Sequence, residues 1–337
     1  MAMVKMAVVG ATGAVGREML KVLEERDFPV GELVCLADPK EEGNRVKFKD
    51  EDVIVRGASP EAFSGIDIVL LAVASEISEA LAPEAVKRGC VVIDNSYAFR
   101  LREGVPLVVP EVNAGDVGQH QGIIANPNCS TIIMVVAVNP IHQAAGIKRI
   151  VVSTYQAVSG AGILGIEELT RQTRAALEER EEKPEVFQYP IAFNLIPHID
   201  TFQENGYTKE EMKMVWETRK IMHLPDLRVS PTTVRVPVYR SHSESINIET
   251  ERKISAEEAR GILAKAPGVV VQDDPGAGVY PMPLYTSFRD EVFVGRIRED
   301  VSVERGLNLW VAADQIRKGA ATNAVQIAEI VVRENLF

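Results

Sequence analysis

Along the first 130 residues, apolar positions recur in two alternating rhythms. The β-branched runs "KMAVVG", "GELVCLAD", "GIDIVLLAVA" and "CVVIDNS" read as strands. Between them, "GREMLKVLEER" and "SEALAPEAVKRG" place apolar residues at helical spacing. Strands alternating with helices predict parallel strands joined by crossovers. That is a doubly wound α/β layer, with ligands at the carboxyl ends of its strands. Beyond about residue 130 the pattern changes. "IKRIVVSTYQAVSG" is a strand running into a Gly/Ser loop, and "GIEELTRQTRAALEEREEK" is a charged helix. The alternating segments "TTVRVPVYRSHSESINIET" and "EVFVGRIRED", then "GLNLWVAAD", predict a mixed α+β domain with a largely antiparallel sheet. The closing segment "KGAATNAVQIAEIVVRENL" is a helix with too much apolar surface to stand alone, and it is expected to return to the first domain.

Composition narrows the class. With 46% hydrophobic and 25% charged residues the chain can bury a core, and general disorder is excluded. A formal net charge of −11 without a Lys/Arg block argues against nucleic acid as a partner. Three cysteines without regular spacing argue against a disulfide framework and fit a reducing compartment. The N-terminus enters the first strand directly, and the longest apolar runs are too short to span a bilayer. A cytoplasmic protein with no membrane partner is expected. No Cys/His cluster has metal-ligand spacing.

The first loop, "GATGAVG", carries Gly10, Thr12, Gly13, Ala14, Val15 and Gly16 between a strand and a helix. Glycines there let backbone N–H groups approach a pyrophosphate at the helix N-terminus. A turn without a ligand is the plain alternative; the strand–loop–helix context favours a dinucleotide. The second strand ends at Asp38, the position from which an acid takes the ribose 2′-OH of NAD and repels a 2′-phosphate. Lys40 could pull the other way, and Asp38 also suits a turn ahead of Pro39.

The stretch "NPNCSTIIMV", residues 126–135, holds Cys129. Pro127 could open a helix capped by Asn126, with the thiol in the first turn, where the helix dipole lowers its pKa. The run "STIIMVVAV" also suits a strand by propensity. From residue types alone, Cys129 as nucleophile and Cys129 as buried hydrophobe stand about level.

The blocks "NPNCST", "STYQAVSGAG", "FNLIPHID", "RVPVYRSHSESINIE" and "DQIRKGAATNAVQIAE" resemble, in this order, those of aspartate-semialdehyde dehydrogenases, as does "DNSYAFR" followed by "VPLVVPEVN". The likeness runs from residue 6 to about 330. It implies an NADP-dependent oxidoreductase of amino-acid biosynthesis (lysine, threonine, methionine). The reaction is reduction of L-aspartyl-4-phosphate to the semialdehyde, with release of phosphate, through an acyl-thioester on Cys129. It also implies roles for individual residues. His242 matches the acid/base, Gln156 a substrate-holding amide, and Arg235 the clamp on the substrate carboxylate. Arg100 and Lys220 match phosphate ligands, and Glu217 the partner of the substrate ammonium. Ser159, Gly160 and Gln315 match cofactor contacts. A homodimer formed through the second domain's sheet is implied as well. The expected division is 1–128, completed by 315–337, for the dinucleotide-binding domain, and 129–314 for the catalytic and dimerisation domain.

Two conditions attach. A regular strand puts positions seven apart on opposite faces. Arg235 and His242 can therefore share a site only across a break, for which Pro237 is the candidate. And where the family has a small or hydroxylated residue followed by Arg, this chain has Asp38-Pro39-Lys40, which predicts weakened NADP preference and use of NAD. The alternatives are a related acyl-phosphate or acyl-CoA reductase, such as one acting on an N-acetylated acyl phosphate, and a non-catalytic nucleotide-binding regulator.

Overall fold

The fold is described from a computed structural model covering residues 3–337. The chain forms two compact units, Met1–Asn128 with Ala320–Phe337, and Cys129–Gly319.

The first unit is built on strands β1 (Val4–Val9), β2 (Val30–Ala37), β5 (Arg56–Gly57), β6 (Ile68–Leu71), β7 (Val91–Asp94) and β8 (Ile123–Ala125), with a small hairpin, β3 (Arg45–Phe48) and β4 (Glu51–Ile54), inserted after β2. The six-stranded sheet has the order β5-β2-β1-β6-β7-β8. Every pair in it is parallel. Helices α1 (Ala14–Glu25), α2 (Ser75–Lys87) and the short α3 (Pro110–Asn113) lie in its connections. The chain leaves β1 for β2 on one side and later returns to β6 on the other. The carboxyl end of β1 is therefore the switch point where such folds hold ligands.

The second unit starts with α4 (Cys129–Ala145) and carries a six-stranded sheet of order β10-β9-β11-β14-β13-β12. Its strands are β9 (Ile147–Gln156), β10 (Arg228–Arg235), β11 (His242–Thr250), β12 (Val269–Val271), β13 (Val292–Glu299) and β14 (Gly306–Ala313). The inner strands pair antiparallel, and the β9–β10 and β12–β13 pairs at the edges are parallel. The sheet is more mixed than the alternation suggested. Helices α5 (Gly162–Leu177), α6 (Lys209–Ile221), α7 (Ala256–Leu263) and α8 (Pro283–Thr286) complete the unit. Along β9, Ile150, Val152, Thr154 and Gln156 are buried, whereas Val151, Ser153 and Tyr155 are half-exposed. One face of the sheet is thus covered, and α4 and α6 pack over it.

Residues 129–145 are helical although β-branched, because α4 is buried on nearly every side; cover, not propensity, decides. The helix begins at Cys129, two residues later than Pro127 suggested. Asn126 is not its cap. The Asn126 amide donates to Asn95 Oδ1 at 2.5 Å and accepts from Asn323 Nδ2 at 2.6 Å. The final helix, α9 (Thr322–Glu334), packs its Val325, Ala328 and Val331 into the core of the first unit beside Leu23 and Val8. The first unit resumes at Ala320; residues 315–319 belong to the second. Among the described residues no helix is long and apolar enough to cross a membrane, and no group of three or more His, Cys, Asp or Glu could hold a metal ion.

Candidate active site and nucleotide loop

The strand carrying "TTVRVPVYRSHSESINIE" is broken. β10 ends at Arg235, β11 begins at His242, and Ser241 between them takes a left-handed backbone with φ +75. Both strands flank β9, one on each side. Arg235 pairs with Gln156, and Ser243 pairs with Tyr155, so Arg235 and His242 stand on either side of Gln156. The backbone of the next residue, Ala157, is held at both its oxygen and its nitrogen. Arg235 Nη1 donates to Ala157 O at 2.7 Å, and Ala157 N donates to His242 Nδ1 at 3.0 Å. A backbone N–H can only donate, so Nδ1 carries a lone pair and the neutral ring bears its proton on Nε2. Burial, then the Arg235 charge, holds the His242 pKa well below its usual value, which keeps the ring neutral. Burial also works against the charge of Arg235 while Glu210 and Cys129 favour it; its pKa is lowered on balance, but a guanidinium remains charged.

Two glycines make room at this site. A Cβ on Gly160 would lie 2.8 Å from Arg235 Nη1 and 3.4 Å from His242 Cε1. One on Gly319 would lie 2.9 Å from the Cys129 Cβ. Cys129 is the first residue of α4 and is partly exposed, whereas Cys35 and Cys90 are buried. Burial pushes those two thiols up to about 12 and about 11, which leaves them unreactive.

The polar wall beside Gln156 differs from the expected one. Gln156 Nε2 donates to Glu210 Oε1 at 3.2 Å and to Thr154 Oγ1 at 3.3 Å. Lys213 Nζ bonds Glu210 Oε2 at 3.1 Å and Asp200 Oδ2 at 2.8 Å. Burial works against the Lys213 charge, but the two carboxylates outweigh it, and its pKa is raised. Glu210 and Lys213 are thus the acid and base next to Gln156, and sequence reasoning missed both. Glu217 lies two turns further along α6, about 10 Å away by helix rise, and is wholly buried. Lys220 is in the last turn of the same helix. The capping box of Thr208 and Glu211 fixes the start of α6, and Glu211 Oε1 also accepts from Thr233 N at 2.9 Å. Glu210 is thereby set in the first turn over β10.

Gln315 braces two loops. Its Oε1 accepts from Ser241 N at 2.9 Å and its Nε2 donates to Ser159 Oγ at 2.5 Å. Arg100 belongs to the first unit, nearly buried, with Nη2 donating to Asn95 O at 2.8 Å.

The glycine loop of the first unit fits a dinucleotide. Gly10 has φ +81, and a Cβ there would lie 2.3 Å from Ala72 O, just past β6. A Cβ on Gly16 would lie 2.1 Å from Gly10 O, so both are needed for close packing of loop, helix and strand. Gly13 caps α1 without a side chain, and the first turn holds no acid, which leaves a positive helix end suited to phosphate. At the end of β2, Asp38 Oδ1 accepts from Lys40 N at 2.9 Å, the turn role anticipated for it. Glu41, next in that turn, accepts from Thr12 Oγ1 at 2.8 Å.

Residues 5–120 match the family described as "Semialdehyde dehydrogenase, NAD binding domain", and residues 138–318 match "Semialdehyde dehydrogenase, dimerisation domain". The aspartate-semialdehyde dehydrogenase of Aquifex aeolicus is 58% identical over 99% of both chains. That of Bacillus subtilis is 53% identical over 98% of both. Among solved structures, aspartate semialdehyde dehydrogenase II of Vibrio cholerae, complexed with ASA, superposes with a TM-score of 0.96 at 48% identity, covering 99% of each chain.

Proposed function

Since the chain belongs to the aspartate-semialdehyde dehydrogenase family, we propose that it converts L-aspartyl-4-phosphate to L-aspartate-4-semialdehyde and phosphate on the Cys129 side chain. The observation that carries this reading is the backbone of Ala157, whose oxygen is held by Arg235 and whose nitrogen is held by His242, beside Gln156.

Cys129 attacks the acyl carbon, the C–O bond to phosphate breaks, and a thioester forms on sulfur. The positive end of α4 and the Arg235 charge favour the thiolate that does this. A nicotinamide dinucleotide, when bound, would supply the hydride that takes the acyl group to the aldehyde level, and the C–S bond then breaks to free the aldehyde and return the Cys129 thiolate. His242 presents Nε2–H, because Ala157 fills Nδ1; it donates to the oxygen that becomes negative when the acyl carbon is tetrahedral. Arg235 receives the substrate α-carboxylate in its planar fork. Glu210 takes the ammonium and Lys213 the phosphate, the roles that the family resemblance alone gave to Glu217 and Lys220. The family resemblance gives Arg100, in the first unit, a phosphate-binding role. An ammonium ligand excludes an N-acetylated substrate, which has no charge to pair.

For the cofactor, the loop Gly10–Gly16 and the uncapped N-terminus of α1 would hold the pyrophosphate. Asp38 and Glu41 put two carboxylates in the turn after β2, and a 2′-phosphate would meet both. NAD is therefore expected to be used alongside NADP, with NADP preferred by less than about 100-fold. The enzyme acts as a homodimer through the half-exposed face of the second sheet, where Tyr155, Ser245 and Trp310 lie.

One set of measurements tests these statements. Purified protein should reduce NADP, and separately NAD, only when L-aspartate-4-semialdehyde and phosphate are both present, and should sediment as twice its chain mass. In equilibrium binding without substrate, the Asp38→Ser, Glu41→Ser pair should gain roughly 10-fold in affinity for 2′,5′-ADP over 5′-AMP. No turnover with either cofactor would reject the reading, and an unchanged binding ratio would reject the role of the two acids.

A further inference from the structure

Glu244 lies on the covered face of β11, two residues beyond His242, and is fully buried. Neither carboxyl oxygen has a hydrogen-bond partner in the protein. A buried carboxyl without a partner is costly and calls for an explanation. Its neighbours in the sheet are polar. Across the β9–β11 pair Glu244 faces Thr154, and across β9–β10 Thr154 faces Thr233. Thr154 and Thr233 are both buried, and the Thr233 hydroxyl has no partner either. A polar row therefore crosses the inner face one step behind Arg235, Gln156 and His242.

Thr154 links that row to the site. Its Oγ1 accepts from Gln156 Nε2 at 3.3 Å, so its own hydroxyl hydrogen is left to be donated elsewhere. Facing Cβ atoms in an antiparallel pair are about 5 Å apart, close enough for one buried water to bridge the carboxyl and the hydroxyl. Burial drives the Glu244 pKa well above the usual carboxylate range, which favours the protonated form. It can then both accept and donate, whereas a carboxylate could only accept.

We propose that Glu244 is a positioning residue of this site: it fixes the Thr154 hydroxyl and, through it, the Gln156 amide that meets the substrate. The proposal rests on the reading of Gln156 given above. Two hydrogen bonds, to Glu210 and to Thr154, set the rotamer of that amide. Loss of the second would let it swing without disturbing the nucleophile.

Steady-state kinetics and thermal melts of five variants test this. Glu244→Leu and Thr154→Val should melt near the parent and lower kcat roughly 10- to 100-fold, the scale of a small misplacement at a reacting group, with KM moving less. The double variant should be no slower than the slower single one, because both cut the same link. Glu244→Gln keeps a donor and should restore most of what Glu244→Leu loses. Gln156→Ala separates the two readings. If it retains full activity, the reading of the site fails. If it is impaired while Glu244→Leu and Thr154→Val are not, only the positioning role fails. Losses that multiply in the double variant, or Glu244→Gln as slow as Glu244→Leu, would also overturn the role. Should Glu244→Leu not fold, an unaltered kcat in Thr154→Val overturns the role by itself.

Discussion

Cys129→Ala is expected to lower kcat for the phosphate-dependent oxidation of L-aspartate-4-semialdehyde by about 10⁴-fold or more, the scale seen when a covalent nucleophile is removed. The expectation follows from position as well as identity. Cys129 is the one of three cysteines that is partly exposed, at the start of a 17-residue helix whose positive end favours an anion. Cys35→Ala and Cys90→Ala should leave kcat unchanged, because burial pushes those thiols up to about 12 and about 11 and holds them as inert core groups. Turnover should be read alongside intact mass. Enzyme given semialdehyde and cofactor but no phosphate should accumulate an acyl adduct, and Cys129→Ala should not. Substantial turnover in Cys129→Ala would remove covalent catalysis from the account. An adduct on Cys35 or Cys90 would instead displace the nucleophile.

The doubly wound half was readable because strand, loop and helix each carry their own signal there. The Gly10–Gly16 loop between a β-branched run and an amphipathic helix leaves little choice of fold. The seven-residue spacing of Arg235 and His242 was readable too, in a negative sense, since an unbroken strand could not have joined them. What broke it is the crossing of the chain from one side of β9 to the other, aided by the left-handed Ser241. The state of α4 was not readable locally. A β-branched apolar run of that kind becomes a helix when it is enclosed, and enclosure is a tertiary fact. Nor could the sequence show that the Asn126 amide would be engaged by Asn95 and Asn323, far away along the chain, instead of capping that helix. Glu244 stood in plain view within "SHSESINIE". An alternating strand says which face a residue takes; it does not say that a carboxyl there will lack a partner.

The hardest case is the acid–base pair of α6, and it gives the second large effect. The helix "TKEEMKMVWETRKIM" contains the spacing Glu-x-x-Lys twice, one heptad apart, at Glu210/Lys213 and at Glu217/Lys220. Both pairs lie on nearly the same face, so helical periodicity cannot rank them. Contact can. Glu210 bonds Gln156 and Lys213, and its charge acts on Arg235, whereas Glu217 sits two turns away, wholly buried. Glu210→Gln is therefore expected to lower kcat/KM roughly 100- to 1000-fold, corresponding to about 3 to 4 kcal/mol for an ion pair lost from a desolvated substrate. Lys213→Met should raise the KM for phosphate, with less effect on the semialdehyde. Glu217→Gln should act on the melting temperature and leave kcat/KM within a few-fold of the parent. The comparison is between kinetic and thermal columns of the same three variants. If Glu217→Gln lost kcat/KM while Glu210→Gln kept it, the ammonium ligand would return to the position the family resemblance gave it, and the bond between Gln156 and Glu210 would be structural only.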